Sequence, residues 1–248
     1  MSVLYILWLR QLKRYFRSKS RIIGAIGQPL LFLLALGYGL GSVYKRAGQG
    51  NYLEFLVPGV MVQTVLFSAM FFGAMIIFDR QFGFLKETLV APVSRFKIMF
   101  GGALGGATTA VMQGLLVFLI ALPLGFRLHH WANAPVALVV LALFAMTVAS
   151  FSSAIGSIAQ DMQGFQAINQ FLIFPLYFLS GALYPLTSVP TWLRIIGEVN
   201  PVSYTVDALR WALINQTHFG IARDLLVMVA FLLVGIAFGV YRFRRIEA

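Results

Sequence analysis

The stretch Asp79–Lys97, DRQFGFLKETLVAPVSRFK, decides how the rest of the chain reads. It carries Arg80, Lys86, Arg95 and Lys97 with the acids Asp79 and Glu87, between two long apolar runs. A connector between two membrane helices needs only a few residues. This one is longer, and Phe82, Leu85 and Leu89 recur at i, i+3, i+7, the spacing of one helix face. Pro92 ends the segment and Ser94 is placed to cap the next helix. The pattern predicts a short amphipathic helix at a membrane surface. Such a helix is a handle for a soluble partner, or else a solvated connector held down by its leucines.

The flanking runs are typical of the chain. Of its 248 residues, 60% are hydrophobic and 11% charged, against about 45–50% and 25% in soluble domains. Mean hydropathy is +0.85. Lipid is therefore the solvent for most of the chain, which is counted in spans of about 20 residues. The net charge of +11 suits basic flanks meeting anionic headgroups better than it suits nucleic acid. With no cysteine, disulfides, thiolate metal sites and a cysteine nucleophile are excluded.

Residues 1–21 read as an interfacial helix rather than a cleaved signal. Leu4, Tyr5, Trp8, Leu9, Leu12, Tyr15 and Phe16 share one face, with Arg10, Lys13, Arg14 and Arg17 outward on the other. Spans follow at about 22–41, with Gln28-Pro29 as a kink, and at 55–78, 98–122, 135–159, 165–183 and 225–241. In the third, Gly101/Gly105 and Gly102/Gly106 are spaced four apart for close helix approach. No lysine follows them as a phosphate loop would require. His129 and His130 precede Trp131 in a loop; adjacent positions diverge and no third metal ligand is near in sequence, so the loop reads as a tryptophan-anchored interface. In the fourth span Ser150, Ser152, Ser153 and Ser157 are placed for interhelical hydrogen bonds. In the fifth, Gln166, Asn169 and Gln170 share a face that must meet protein or water. Residues 184–224 are broken by Pro185, Pro190 and Pro201, with short amphipathic helices expected at 190–197 and 202–215.

Six spans put both termini on one side. Thirteen of the nineteen Lys and Arg then fall in the amino-terminal segment, the 79–97 loop and the tail, and six in the other loops. The positive-inside rule makes the first side cytoplasmic. The chain has no G-x-x-x-x-G-K-[ST], no H-E-x-x-H and no G-x-S-x-G. It has no intramembrane carboxylate of the kind that carries coupling protons. No catalytic residue, metal site or cofactor site of its own is expected.

Three stretches resemble the membrane subunits of ABC transporters of the type-2 exporter class. They are GFLKETLVAPVSR (Gly83–Arg95), FPLYFLSGALYPLTSVPTWL (Phe174–Leu193) and NPVSYTVDALRWAL (Asn200–Leu213). Their order and spacing agree, and the likeness covers essentially the whole chain. It implies an all-α integral membrane protein, one transmembrane domain over 1–248. Six transmembrane helices would follow an interfacial amino-terminal helix, with a cytoplasmic coupling helix in the 79–97 loop and re-entrant helices in 184–224.

The resemblance also implies partners and roles. Two copies would pair as a homodimer on two separate ABC ATPase subunits, which bind ATP and Mg. The coupling contact maps to Gly83, Leu85, Lys86, Glu87, Leu89 and Pro92, with Asp161 in a second, smaller contact at 160–164. The re-entrant segment would include Asn200, Pro201, Asp207 and Arg210. A substrate path at the dimer interface would be lined by Gln63, Phe67, Phe71, Asn169, Phe174 and Tyr177. The expected function is outward export of a hydrophobic drug-like, lipid or glycolipid substrate across the bacterial cytoplasmic membrane. Polysaccharide or lipo-oligosaccharide export shares the architecture. An ATP-independent secondary transporter, or a membrane docking scaffold, is the alternative of another class.

Overall fold

Long apolar runs with few helix breakers leave the backbone one workable choice in lipid, which is to bond within helices. A computed structural model describes residues 3–46, 50–90 and 92–246, without the side chains of Ser20, Arg21 and Leu89. Among the described residues there is no strand. The helices are α1 (Val3–Arg17), α2 (Lys19–Phe32), α3 (Gly41–Arg46), α4 (Tyr52–Gln81), α5 (Phe84–Val90) and α6 (Arg95–Ala121). They continue with α7 (Ala134–Ile158), α8 (Met162–Phe178), α9 (Thr191–Val199), α10 (Pro201–Ile214) and α11 (Ile221–Phe243).

Four of these are long and apolar enough to cross a membrane: α4, α6, α7 with its leading turn, and α11. A fifth is counted if α1 and α2, bent by 71° at their junction, are taken as one broken element. From Leu33 to Tyr38, α2 continues with π-type bonding one turn after Pro29, whose missing N–H disturbs the ladder. At 17 residues, α8 is about 26 Å long, short of a bilayer core of about 30 Å. The expected fifth span to Leu183 therefore stops early, because the chain turns at Gly181, whose φ is +72°.

Helix starts follow local chemistry. Asn51 accepts from Leu53 N at 3.1 Å, Ser94 from Lys97 N at 3.4 Å and Asp161 from Gly164 N at 2.6 Å. Asn200 caps α10 by accepting from Val202 N at 3.0 Å, with Pro201 in the first turn.

Apolar nearly all round, α4 is the central post and packs on α6 and α7. On the far side of α7 lies α11, while α1 lies on α6 and α8 touches mainly α4 and α10. The glycines of α6 serve two neighbours. A Cβ at Gly105 would fall 2.6 Å from Gln11 Cβ of α1, and one at Gly102 would fall 2.7 Å from the Phe72 ring of α4. Backbone meets backbone where α4 crosses α7. A Cβ at Gly73 would lie 2.3 Å from Ser152 O, and Ser152 bonds both Met70 O and Gly73 N.

Of the four serines expected to bond between helices, Ser152 does so. Ser150 and Ser157 donate within α7, to Met146 O and Ser153 O, because an in-helix carbonyl is always in reach. Ser153 Oγ makes no hydrogen bond among the described residues.

Candidate functional site: the loop end of the bundle

The segment joining α4 to α6 is built where several distant parts of the chain meet. Asp79, in the last turn of α4, is 5% exposed. It accepts from Arg10 Nη2 at 2.6 Å and from both Arg14 Nη atoms at 3.1 Å. Arg10 and Arg14 thus turn inward, and the expectation that all α1 cations face outward is corrected. Only a buried carboxylate offers them charge-assisted bonds, whereas Lys13 and Arg17 stay exposed. On the same inward side of α1, Leu7, Gln11 and Tyr15 are buried, and next to them Trp8 Nε1 donates to Thr108 Oγ1 at 3.0 Å. Tyr5 and Phe16, expected on the apolar face of the interfacial helix, are exposed.

Next along the chain, Arg80 donates to Ala159 O and to Gln160 O, the latter at 3.3 Å, and so ties α4 to the α7–α8 turn. Arg95 donates to Arg244 O and Ile246 O and holds the carboxyl-terminal stretch against the start of α6. The amino-terminal helix, the α5 segment, the 160–164 turn and the carboxyl-terminal stretch therefore share one end of the bundle. Phe243, Leu7, Phe72, Leu85 and Ile98 meet at its floor.

On this end α5 is a ledge. Gly83 starts it at φ +78°, Leu85 is buried beneath it, and Lys86, Glu87, Val90 and Pro92 are exposed. Phe82, expected on the buried face, is 70% exposed. It sits in the turn before α5, so the i, i+3, i+7 register does not include it. Leu89 lies on α5, and its side chain is outside the described residues. Exposed Phe82, Phe84 and Val90 with Lys86 and Glu87 make a mixed apolar and charged face beside the Asp79 clamp. Asp161 is exposed, but its carboxylate caps α8 rather than standing free.

The residues expected along a substrate path do not form one surface. Gln63, Phe67 and Phe71 line a crevice of about 180 Å³ with Gln28, Thr64, Ser68 and Gln113, between α2, α4 and α6. Phe174 of α8 stands edge-on to Phe67, with ring centroids 5.7 Å apart. Gln166 and Gln170 are exposed, so the amide face of α8 lies open at those two positions, whereas Asn169 between them is half-buried and its Oδ1 is covered, with no hydrogen-bond partner among the described residues. Tyr177 is fully buried and lines no opening.

At the opposite end α10 of the broken segment is packed as a cap, while α9 is largely exposed. Asn200 Nδ2 donates to Leu176 O, so the turn between α9 and α10 reaches down beside α8. Asp207 accepts from Thr217 Oγ1, His218 N and Phe219 N at 2.8–2.9 Å. Arg210 donates to Gly181 O and Ala182 O at 2.9 and 3.0 Å and lies 3.6 Å over the Phe55 ring. Burial draws Arg210 down to about 10, with Asp207 the main opposing charge, so it stays protonated at neutral pH. The amphipathic helix expected at 202–215 is corrected. Its polar residues are also buried: Asp207 and Arg210 bond the 217–219 and 181–182 turns, while the Ser203 and Thr205 hydroxyls have no hydrogen-bond partner among the described residues.

Sequence reasoning missed the roles of Arg10, Arg14, Asp79 and Arg80. An acid at the end of an apolar run, with spare basic residues elsewhere, was the only available signal.

Similarity to known proteins gives the family. A family model described as ABC-2 type transporter matches residues 2–214. The transport permease ycf38 of Cyanophora paradoxa is 31% identical, over 94% of this chain and 86% of its own length. The inner membrane transport permease YadH of Escherichia coli (strain K12) is 26% identical over 91% and 88%. Nodulation protein J of Rhizobium leguminosarum bv. viciae is 25% identical over 92% and 90%. With a family model spanning most of its length and relatives matched along nearly all of theirs, this chain belongs to the ABC-2 type transporter family of membrane permeases.

Proposed function

We propose that the chain is the membrane subunit of an ATP-driven exporter. It moves a hydrophobic drug-like, lipid or glycolipid substrate outward across the bacterial cytoplasmic membrane. Six spans are α2 with its π continuation, α4, α6, α7, α8 with the following turn, and α11, while α9 and α10 form a re-entrant pair at the outer side. Both termini are cytoplasmic. The chain acts as a single transmembrane domain in a homodimer, surrounded by lipid, on two ABC ATPase subunits that bind ATP and Mg. It takes no part in nucleic-acid binding.

One observation carries this reading. The exposed α5 ledge, with Gly83, Lys86, Glu87 and Pro92, is braced from behind by Asp79, Arg10 and Arg14. A brace of this kind transmits movement into α4 instead of letting the loop yield. A partner shifts the membrane part between two states only through contacts that differ between them. The chain has no P-loop of its own, so nucleotide energy enters through that ledge, with Leu85 beneath it, Leu89 along the same helix and the Asp161 turn as a smaller contact.

The substrate path begins at the crevice of Gln63, Phe67 and Phe71 and continues along Phe174 and the open amide face around Asn169, with Tyr177 behind it. Outward of it, Asn200, Pro201, Asp207 and Arg210 hold the cap. Gln28, Gln63 and Gln113 in that crevice also suit a hydrogen-bonding head group. Polysaccharide or lipo-oligosaccharide export is therefore the second reading. The test is mild-detergent purification of the tagged chain from its native membrane beside a Glu87→Lys variant. A stoichiometric P-loop ATPase with the wild type, depleted in the variant, is the expected result. No ATPase in either sample overturns the reading in favour of a secondary transporter or a scaffold.

A further inference from the structure

A second cavity lies on another face of α4 from the glutamine crevice. It measures about 300 Å³ and is lined by Leu66 and Met70 of α4, Val148 of α7, Ile173 of α8, Thr205 of α10 and Met228 of α11, among others. It sits below the turn where α9 gives way to α10, at the middle level of α4, α7 and α11. Its deep walls are buried, while Leu172 at its rim on α8 is exposed. The helices α8 and α11 share no extensive contact, so the cavity opens sideways between them.

Two polar side chains reach its wall. Thr147 Oγ1 donates within its own helix to Leu143 O at 2.8 Å. Thr205 is 1% exposed, and its hydroxyl has no hydrogen-bond partner among the described residues. Buried hydroxyls nearly always have a partner, and an exception calls for an explanation. Water is a poor one, since a buried water needs two to four polar partners and this wall is apolar apart from Thr205 and a Thr147 hydroxyl whose proton is already used within α7.

Apolar walls with a single orienting polar group are the usual make-up of a site for a small lipophilic ligand, and the volume is at the lower end for such sites. With no charged side chain at the wall, an ionised ligand would be left without a counter-charge. A second copy of the chain could cover the mouth but could not fill a space walled by five helices.

We propose that this cavity binds a compact, uncharged hydrophobe carrying one hydrogen-bonding group, which enters from the bilayer between α8 and α11 and is held by the Thr205 hydroxyl. The inference rests on the proposed bilayer orientation of α8 and α11. It adds to the proposed path a substrate or modulator site that lies within one copy of the chain.

The probe is a trifluoromethyl-diazirinyl benzyl alcohol, uncharged with a single hydroxyl, applied to the permease in phospholipid vesicles without nucleotide. Photolabelled residues are mapped by mass spectrometry. The expected result is saturable labelling around Leu172, Ile173, Thr205 and Met228, competed by unlabelled benzyl alcohol. Lipid-facing Leu226 and Leu233 should show only non-saturable background. Thr205→Val, which keeps the volume, should lower the saturable part several-fold for the alcohol and leave labelling by the analogue lacking the hydroxyl unchanged. Val148→Phe, which fills the cavity, should abolish both.

Labelling no greater than at Leu226, or insensitive to Thr205→Val, overturns the proposal. So does labelling of the same residues by a diazirine-acyl phosphatidylcholine that the alcohol cannot compete, since the occupant is then a lipid chain. Because ATPase capture plays no part in this readout, the site can fail while the exporter reading stands, and the reverse.

Discussion

Replacing Asp79 by asparagine tests whether the amino-terminal helix braces the ledge. The carboxylate is 5% exposed and takes three bonds from Arg10 and Arg14, whose side chains are each 37% exposed. Fully exposed ion pairs contribute about 0–1 kcal/mol, and breaking a fully buried one costs about 3–5 kcal/mol. With a buried acid and half-exposed bases, solvent screens part of the attraction, and the loss falls between the two at about 2 kcal/mol. At 1.4 kcal/mol per decade, that is roughly a 30-fold rise in local opening of α1.

Hydrogen–deuterium exchange on the permease in lipid reads it directly. Amides from Leu7 to Arg17 should exchange roughly 30-fold faster in Asp79→Asn, with α11 unchanged, since local opening is read segment by segment. Added salt should speed α1 exchange in the wild type more than in the variant, because only the wild type has the pair to screen. Protection of α1 within about threefold of wild type (about 0.6 kcal/mol) would refute the brace. Equal acceleration in α11 would also refute it, since the change would then be global.

The remaining tests address other parts of the design. Gly73→Ala places a Cβ against Ser152 O of the crossing helix; overpacking of about 1–3 kcal/mol should lower the melting temperature in detergent. Gly27→Ala, with open space around it, should not. Asp161→Ala should lose a cap worth about 1 kcal/mol, whereas Asp161→Asn keeps the acceptor. ATPase stimulation falling equally in both variants would show instead that the charge itself is the contact. Arg210→Met leaves Gly181 O and Ala182 O without their donor. It should destabilise the cap by roughly 3 kcal/mol, read as faster proteolysis between Gly181 and Gly220, and an unchanged digestion rate would deny Arg210 that role.

Much of the fold was legible because its causes are local. Ser94 announced a helix start, Pro185, Pro190 and Pro201 announced breaks, and the paired glycines of α6 announced close packing. Each depends on residues within a turn or two of itself. The site was only half legible. Glu87 and Lys86 stand exposed on α5, yet the register that included Phe82 failed, because a three-residue offset cannot tell a helix from the turn preceding it. Gln63 and Phe67 share a crevice with Gln113, while Tyr177, on the same helix as exposed Phe174, faces inward and is buried.

By itself the sequence determined that the chain lives in lipid, that its helices alternate with basic and broken connectors, and that it resembles ABC export permeases. Hydropathy and charge act on every segment separately, so they can be read one segment at a time. Tertiary structure alone decided that Arg10 and Arg14 bind Asp79, that Arg80 holds the 160–164 turn, that Arg210 braces the end of α8, and that Thr205 faces an apolar cavity. Those pairings join residues that are 28 to 80 positions apart where hydrogen bonds form. They depend on how each helix is rotated about its axis, and that rotation is fixed only when all the helices pack at once.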